Sequence, residues 1–172
     1  CDLPADAVAA PRAADGATRA EIETLLLQLM RSGQPAAVAR LSDGSLMAWG
    51  DRAGGILNMP PLTPGLSYFE IACGQLFTIA RRSDGTVVAW GDTSGGRLNV
   101  PALPAGLSYV EIACCSDYSL ARRSDGSVVA WGRNDYGRCN VPALPPGLTY
   151  VQIAAGTYHS IARRSDGSVV AW

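Results

Sequence analysis

The chain has 172 residues, 48% of them hydrophobic, and a net charge of −1. A balance this close to neutral argues against nucleic acid or an anionic membrane as the main partner, since either favours a strongly basic surface. No apolar run is long enough for a membrane-spanning helix, so the length fits one globular or repeat unit.

Residues 1–16 are rich in Ala and Pro and read as a tether. Cys1 at its head, followed by tether and folded domain, looks like a bacterial lipoprotein after signal-peptide cleavage. Cys1 is therefore the candidate lipid anchor. The expected location is the bacterial cell envelope, on its periplasmic or extracellular face. Residues 17–33 read as a capping helix: Ile22, Leu25, Leu26 and Leu29 follow the i, i+3, i+4, i+7 spacing, and Gly33 supplies the stop.

Residues 34–172 are repeats. Trp49, Trp90, Trp131 and Trp172 are spaced 41 residues apart, as are Ser42-Asp43-Gly44 and its three later copies. Tyr68, Tyr109 and Tyr150 keep the same phase, and so do Pro60, Pro101 and Pro142. A constant period of this size marks a repeat array. Each unit reads as four strands. In the second unit these are A (68–73), B (77–83), C (86–90) and D (97–100), with Asp84-Gly85 as a two-residue hairpin turn. The runs near Val87-Val88-Ala89-Trp90 are continuously apolar, so both sheet faces should be covered. Four-stranded sheets packed face to face around an axis are propeller blades. The predicted fold is thus an all-β propeller, partial in this chain, with incomplete first and last blades. Helix 17–33 stands where the first strand A belongs.

Several stretches carry the look of a known family. Ile153 to Ser160, Arg164 to Trp172, and Trp131-Gly132-Arg133-Asn134-Asp135-Tyr136-Gly137-Arg138 resemble the regulator of chromosome condensation repeat. The resemblance covers residues 36–172 and implies a seven-bladed propeller. It leaves function open. The family's founder is a nucleotide-exchange factor that binds chromatin. A secreted bacterial β-lactamase inhibitor shares the connector seen at Asn99-Val100-Pro101 and Asn140-Val141-Pro142. No exchange-factor residue beyond the generic repeat transfers to this chain.

Variation between copies separates architecture from function. The B–C turns are nearly identical, whereas the A–B and C–D loops differ. In an antiparallel meander those two loop types share one rim, and loops on a rigid scaffold are where binding is usually placed. The partner-binding candidates are Phe77, Arg97, Asp117, Tyr118, Tyr136, Arg138, Tyr158 and His159. Aromatic residues and Arg are enriched at interface hot spots. The tryptophans read as inter-blade core. Arg81-Arg82 and their copies read as a rim neutralised by the nearby Asp. Cys73 and Cys114 hold equivalent positions, as a disulfide or as two buried thiols. His159 has no nucleophile or carboxylate partner, so no catalytic site, metal or cofactor is expected. The expectation is a non-catalytic protein-binding propeller, an accessory or scaffold subunit of a larger envelope or surface complex. One alternative is a structural subunit whose incomplete blades pair between chains. Another, by family analogy, is a secreted inhibitor or an exchange-type regulator.

Overall fold

The computed structural model describes residues 36–41, 44–50 and 53–172. The expected tether and capping helix lie outside them, as does Cys1. The described residues form one two-stranded and three three-stranded antiparallel sheets. β1 (Ala36–Arg40) pairs with β2 (Leu46–Gly50). Three A-B-C meanders follow: β3 (Tyr68–Cys73), β4 (Phe77–Arg82) and β5 (Val87–Gly91); β6 (Tyr109–Cys115), β7 (Tyr118–Arg123) and β8 (Val128–Gly132); β9 (Tyr150–Ala155), β10 (Ser160–Arg164) and β11 (Val169–Ala171).

The fourth strand is where the structure departs from the expectation. Residues 97–100 follow a 3-10 turn at Ser94–Gly96 and join no sheet. Arg97 has helical backbone angles, and the Asn99 and Val100 N–H groups bond locally to Gly96 and Leu98 carbonyls. A chain that satisfies its own donors this way has none left for a ladder. The B–C turn is also one residue longer than expected. Gly85 N–H donates to the Arg82 carbonyl, and Arg82 N–H donates to Thr86. That is a three-residue loop, a type I turn closed by a left-handed glycine with φ 79. Asp84 Oδ1 accepts from both the N–H and the hydroxyl of Thr86. Asp125 repeats the arrangement, and there the Ser127 hydroxyl and N–H hold the carboxyl below the usual range.

Repeats interlock through one pattern. Ile79 and the partly buried Val87 pack on Tyr109, Ile112 and Ala121 of the next sheet. Leu120 and Val128 pack on Tyr150, Ile153 and Ala162. Val38 and Leu46 pack on Tyr68, Ile71 and Ala80. Both faces of β4 and β7 are consequently covered, and Phe77 to Ala80 and Tyr118 to Ala121 are buried without alternation.

Polar contacts pin the same seams. Trp90 Nε1 donates to the Ile56 carbonyl at 2.7 Å, Trp131 Nε1 to Arg97 at 3.0 Å and Trp172 Nε1 to Arg138 at 2.8 Å. Each bond reaches back into the loop of the preceding repeat. Trp90 and Trp131 are buried, as expected for core. Tyr68, Tyr109 and Tyr150 donate their N–H to Gly44, Gly85 and Gly126 of the preceding turn, and their hydroxyls to the carbonyls of Pro60, Pro101 and Pro142.

The turn glycines make these seams close. A Cβ on Gly126 would sit 2.4 Å from Thr149 Cβ, whereas one on Gly167 would meet nothing within 4 Å. Both have positive φ. Gly167→Ala should therefore cost only the left-handed backbone penalty, about 1–2 kcal/mol. Gly126→Ala should cost more, because it also pushes two repeats apart. Urea denaturation of the two variants checks this, and equal losses would show that the seam is not tight at the turn.

Candidate functional site

Strand pairing confirms the rim geometry. Cys73, Phe77 and Gly91 lie at one end of their sheet, while Tyr68, Arg82 and Val87 lie at the other. The A–B and C–D loops therefore share a rim, and the Ser-Asp-Gly turns occupy the opposite one. On that opposite rim Arg81 and Arg122 pair with Glu70 and Glu111 across strand A, at 3.0 and 2.8 Å. The glutamates, more than the turn aspartates, neutralise them.

The loop rim has a buried layer and an exposed layer, and the candidate residues divide between them. Phe77 and Tyr118 are fully buried. They begin β4 and β7 directly opposite Gly91 and Gly132, and their rings fill the seam to the next repeat. Tyr118 Oη donates to the His159 carbonyl at 2.7 Å and lies 2.9 Å from Ser160 Oγ. Burial raises its hydroxyl pKa. Neither residue is an exposed anchor, which corrects the sequence expectation for both.

Arg97 and Arg138 are also interior, at 6% and 3% exposure. Arg97 Nε donates to the Ser94 carbonyl, and its Nη2 lies 3.1 Å from Asp117 Oδ1 of the next repeat. Its Nη1 is 3.6 Å from Asp92 Oδ2, and its guanidinium lies 5.8 Å from the Phe77 ring. Arg138 donates to the Arg133 and Thr157 carbonyls and stacks 5.2 Å from the Tyr118 ring. Both arginines fasten a C–D loop to the next A–B loop. Asp117 is half-hidden between Arg97 and Arg133 and serves the same joint.

The exposed layer is smaller. Tyr136 and Tyr158 are 64% and 62% exposed. They come from successive repeats and meet edge to face, with ring centroids 5.1 Å apart and planes at 72°. Beneath them Arg138 lies 5.7 Å from the Tyr136 ring. Tyr136 is held at its loop tip by Asn134, whose Oδ1 accepts the Cys139 N–H and whose Nδ2 donates to Asn140, each at 2.8 Å. Arg133 pairs with Asp135 alongside. His159 is exposed, in the repeat position that Phe77 and Tyr118 occupy in the two earlier copies.

Sequence reasoning named Arg133 and Asp135 only as part of a variable loop. Their alternating charge was the signal available.

Cys73, Cys114, Cys115 and Cys139 are free thiols, and burial raises the Cys114 thiol pKa well above its ordinary value. Among the described residues no group of three His, Cys, Asp or Glu is placed to hold a metal.

A stack of antiparallel sheets joined by inter-repeat tryptophans, with its variable loops gathered on one rim, defines a β-propeller repeat array. Residues 70–97, 109–138 and 150–172 match the model for the Regulator of chromosome condensation (RCC1) repeat, and the chain belongs to this family. No curated protein matches significantly. Among solved structures, human WBSCR16 is similar over 80% of this chain, with a TM-score of 0.68 and 18% identity. Prp20p from Saccharomyces cerevisiae is similar over 81%, with a TM-score of 0.67 and 21% identity. The ectodomain of the Arabidopsis thaliana receptor kinase ACR4 is similar over 80%, with a TM-score of 0.60 and 22% identity. This chain covers 44%, 42% and 49% of those three chains, less than half of each. At such identities the likeness establishes the fold.

The two layers should separate in stability measurements. Tyr118→Ala should destabilise by about 3–5 kcal/mol through cavity formation, while Tyr158→Ala should change stability by no more than about 0.5 kcal/mol. Chemical denaturation of both variants tests the division, and similar losses would contradict it.

Proposed function

We propose that this chain is a non-catalytic, protein-binding propeller that grips its partner through the rim of A–B and C–D loops. The Tyr136–Tyr158 pair carries the reading. Two large amphipathic rings stand exposed, braced by each other and by a buried arginine. A rigid aromatic anchor loses little entropy on binding and buries a large area, which is what a hot spot requires. Arg133, Asp135 and His159 supply a polar border around it. Structures of the same fold give general support: yeast RCC1 (Prp20) is bound to Kap60 in one, and Prp20p has binding properties toward Gsp1p and histones. An exchange-type or inhibitory role is the second reading, and the identity of the partner separates it from a scaffold role.

The finer placement, as an accessory or scaffold subunit of a bacterial envelope complex, rests on the sequence pattern. Fractionation of the native source tests it, with recovery in the envelope expected and a purely cytoplasmic pool overturning it.

The rim itself is tested by crosslinking and affinity measurement on the captured partner. Tyr136→Ala with Tyr158→Ala should weaken binding by roughly 30-fold or more, equivalent to at least about 2 kcal/mol. Asp84→Asn with Asp125→Asn on the opposite rim should leave binding intact. The reverse pattern would place the interface on the Ser-Asp-Gly rim.

A further inference from the structure

β5 and β8 each lie at the edge of a three-stranded sheet, and the stretch expected to pair with β5, residues 97–100, bonds to itself instead. Arg82 N–H donates to the Thr86 carbonyl and Asp92 N–H to the Leu76 carbonyl, which fixes the phase of β5 between them. Residues 86, 88, 90 and 92 turn their backbone groups toward β4, so Val87, Ala89 and Gly91 turn theirs away. Among the described residues nothing bonds to those outward N–H and C=O groups. β8 repeats the phase. Arg123 N–H donates to the Ser127 carbonyl and Arg133 N–H to that of Asp117, which leaves Val128, Ala130 and Gly132 facing outward.

Sheet edges are commonly blunted by a charge, a proline or a bulge. β5 and β8 share the sequence Val-Val-Ala-Trp-Gly, and their pairing with β4 and β7 has no register shift. Beside β5 lies a cavity of about 270 Å³ that separates Thr86 and Val87 from the connector 100–103, with Tyr109 of the next repeat also lining it. No charged side chain lines it. Its hydroxyls are already engaged: that of Thr86 donates to Asp84 at 2.7 Å and that of Tyr109 to the Pro101 carbonyl at 2.6 Å. What remains is an aliphatic wall from Val87, Val100 and Leu103. The connector that follows β8, Val141-Pro142-Ala143-Leu144, repeats Val100-Pro101-Ala102-Leu103 without change.

We propose that an extended, uncharged segment of a partner protein adds to β5, and to the equivalent edge of β8, as a fourth, antiparallel strand. Its backbone meets the outward groups of Val87 and Ala89, and one aliphatic side chain fills the cavity. Antiparallel addition continues the meander of the sheet and is the more stable pairing. The uncharged lining sets the chemistry of the occupant, since an acidic or basic side chain placed there would lose its water and find no partner. This edge is separate from the tyrosine rim, so the two readings fail independently.

Amide hydrogen exchange on the full chain, read by NMR, tests the proposal. The probe is the blocked peptide acetyl-Ser-Val-Thr-Val-Ser-amide at millimolar concentration. In the free protein the Val87 and Ala89 amides should exchange faster than those of Val88 and Trp90. The peptide should slow Val87 and Ala89 by about tenfold or more. The same peptide N-methylated at every residue keeps the side chains, loses the donors and should have no effect. Ala102 and Ala143 are exposed, so Ala102→Glu with Ala143→Glu should preserve the fold, place a charge at the cavity and abolish the slowing. Tyr136→Ala with Tyr158→Ala should leave the slowing intact. Equal exchange at all four amides in the free protein, or no slowing by the peptide, overturns the proposal. So does an effect that survives N-methylation or the Ala102→Glu, Ala143→Glu pair.

Discussion

A tryptophan indole donating to a backbone carbonyl of the preceding repeat is the contact on which the rest of this structure leans. It occurs at Trp90, Trp131 and Trp172 with nearly constant geometry. The indole is the largest side chain available and also carries a single directional donor. Its ring fills the seam and its N–H fixes how far the preceding loop extends. A burial contact alone would let two sheets slide, and a surface hydrogen bond alone would be worth little in water. Their combination sets the register between sheets, and a repeat array owes its stability to such nearest-neighbour terms.

That seam has a consequence at the rim. The accepting carbonyls belong to Arg97 and Arg138, whose side chains then reach forward to the next A–B loop. One residue thus takes a bond from the next repeat at its backbone and gives one at its side chain. Ser160 Oγ joins the same node, 2.7 Å from the Arg138 carbonyl. The node is charged and buried, so its donors need partners. Arg97 Nε and Nη2 and Arg138 Nε and Nη1 find them in carbonyls and a carboxylate, while Arg97 Nη1 makes no hydrogen bond and lies 3.6 Å from Asp92 Oδ2. The C–D loop becomes a stiff support, and Tyr136 stands on it. The tyrosine pair inherits its rigidity from the core rather than from the loop.

The period, the three strands of each unit and the sharing of the rim by two loop types were legible because they rest on backbone alternation and turn chemistry, which single residues report. Strand D was not. Leu98 and Val100 look β-prone, but Gly95 and Gly96 permit a tight turn whose local bonds consume the donors. The candidate site was legible in position and misjudged in depth. Position 77 varies from Phe to Tyr to His along the array, and variation reads as surface. In the structure Phe77 and Tyr118 both fill a seam, so the column is interior in those two copies, while His159 is exposed. The available clue was Gly91 and Gly132 directly across the strand: a Cβ on Gly132 would fall 2.8 Å from Tyr118 Cα. For Arg97 and Arg138 the clue was Ile56 at the same position in the first copy. An aliphatic residue there, 4% exposed, marks the column as interior.

The account stands most directly on the indole bond, and Trp131→Phe isolates it by keeping a ring in the seam while leaving the Arg97 carbonyl without its donor. Equilibrium unfolding in urea should show a loss of about 1–3 kcal/mol, the cost of an unmet buried acceptor. The dependence on denaturant should also become shallower as the array begins to split between its second and third sheets. Unchanged stability with an unchanged slope would contradict the claim that this contact holds the repeats in register.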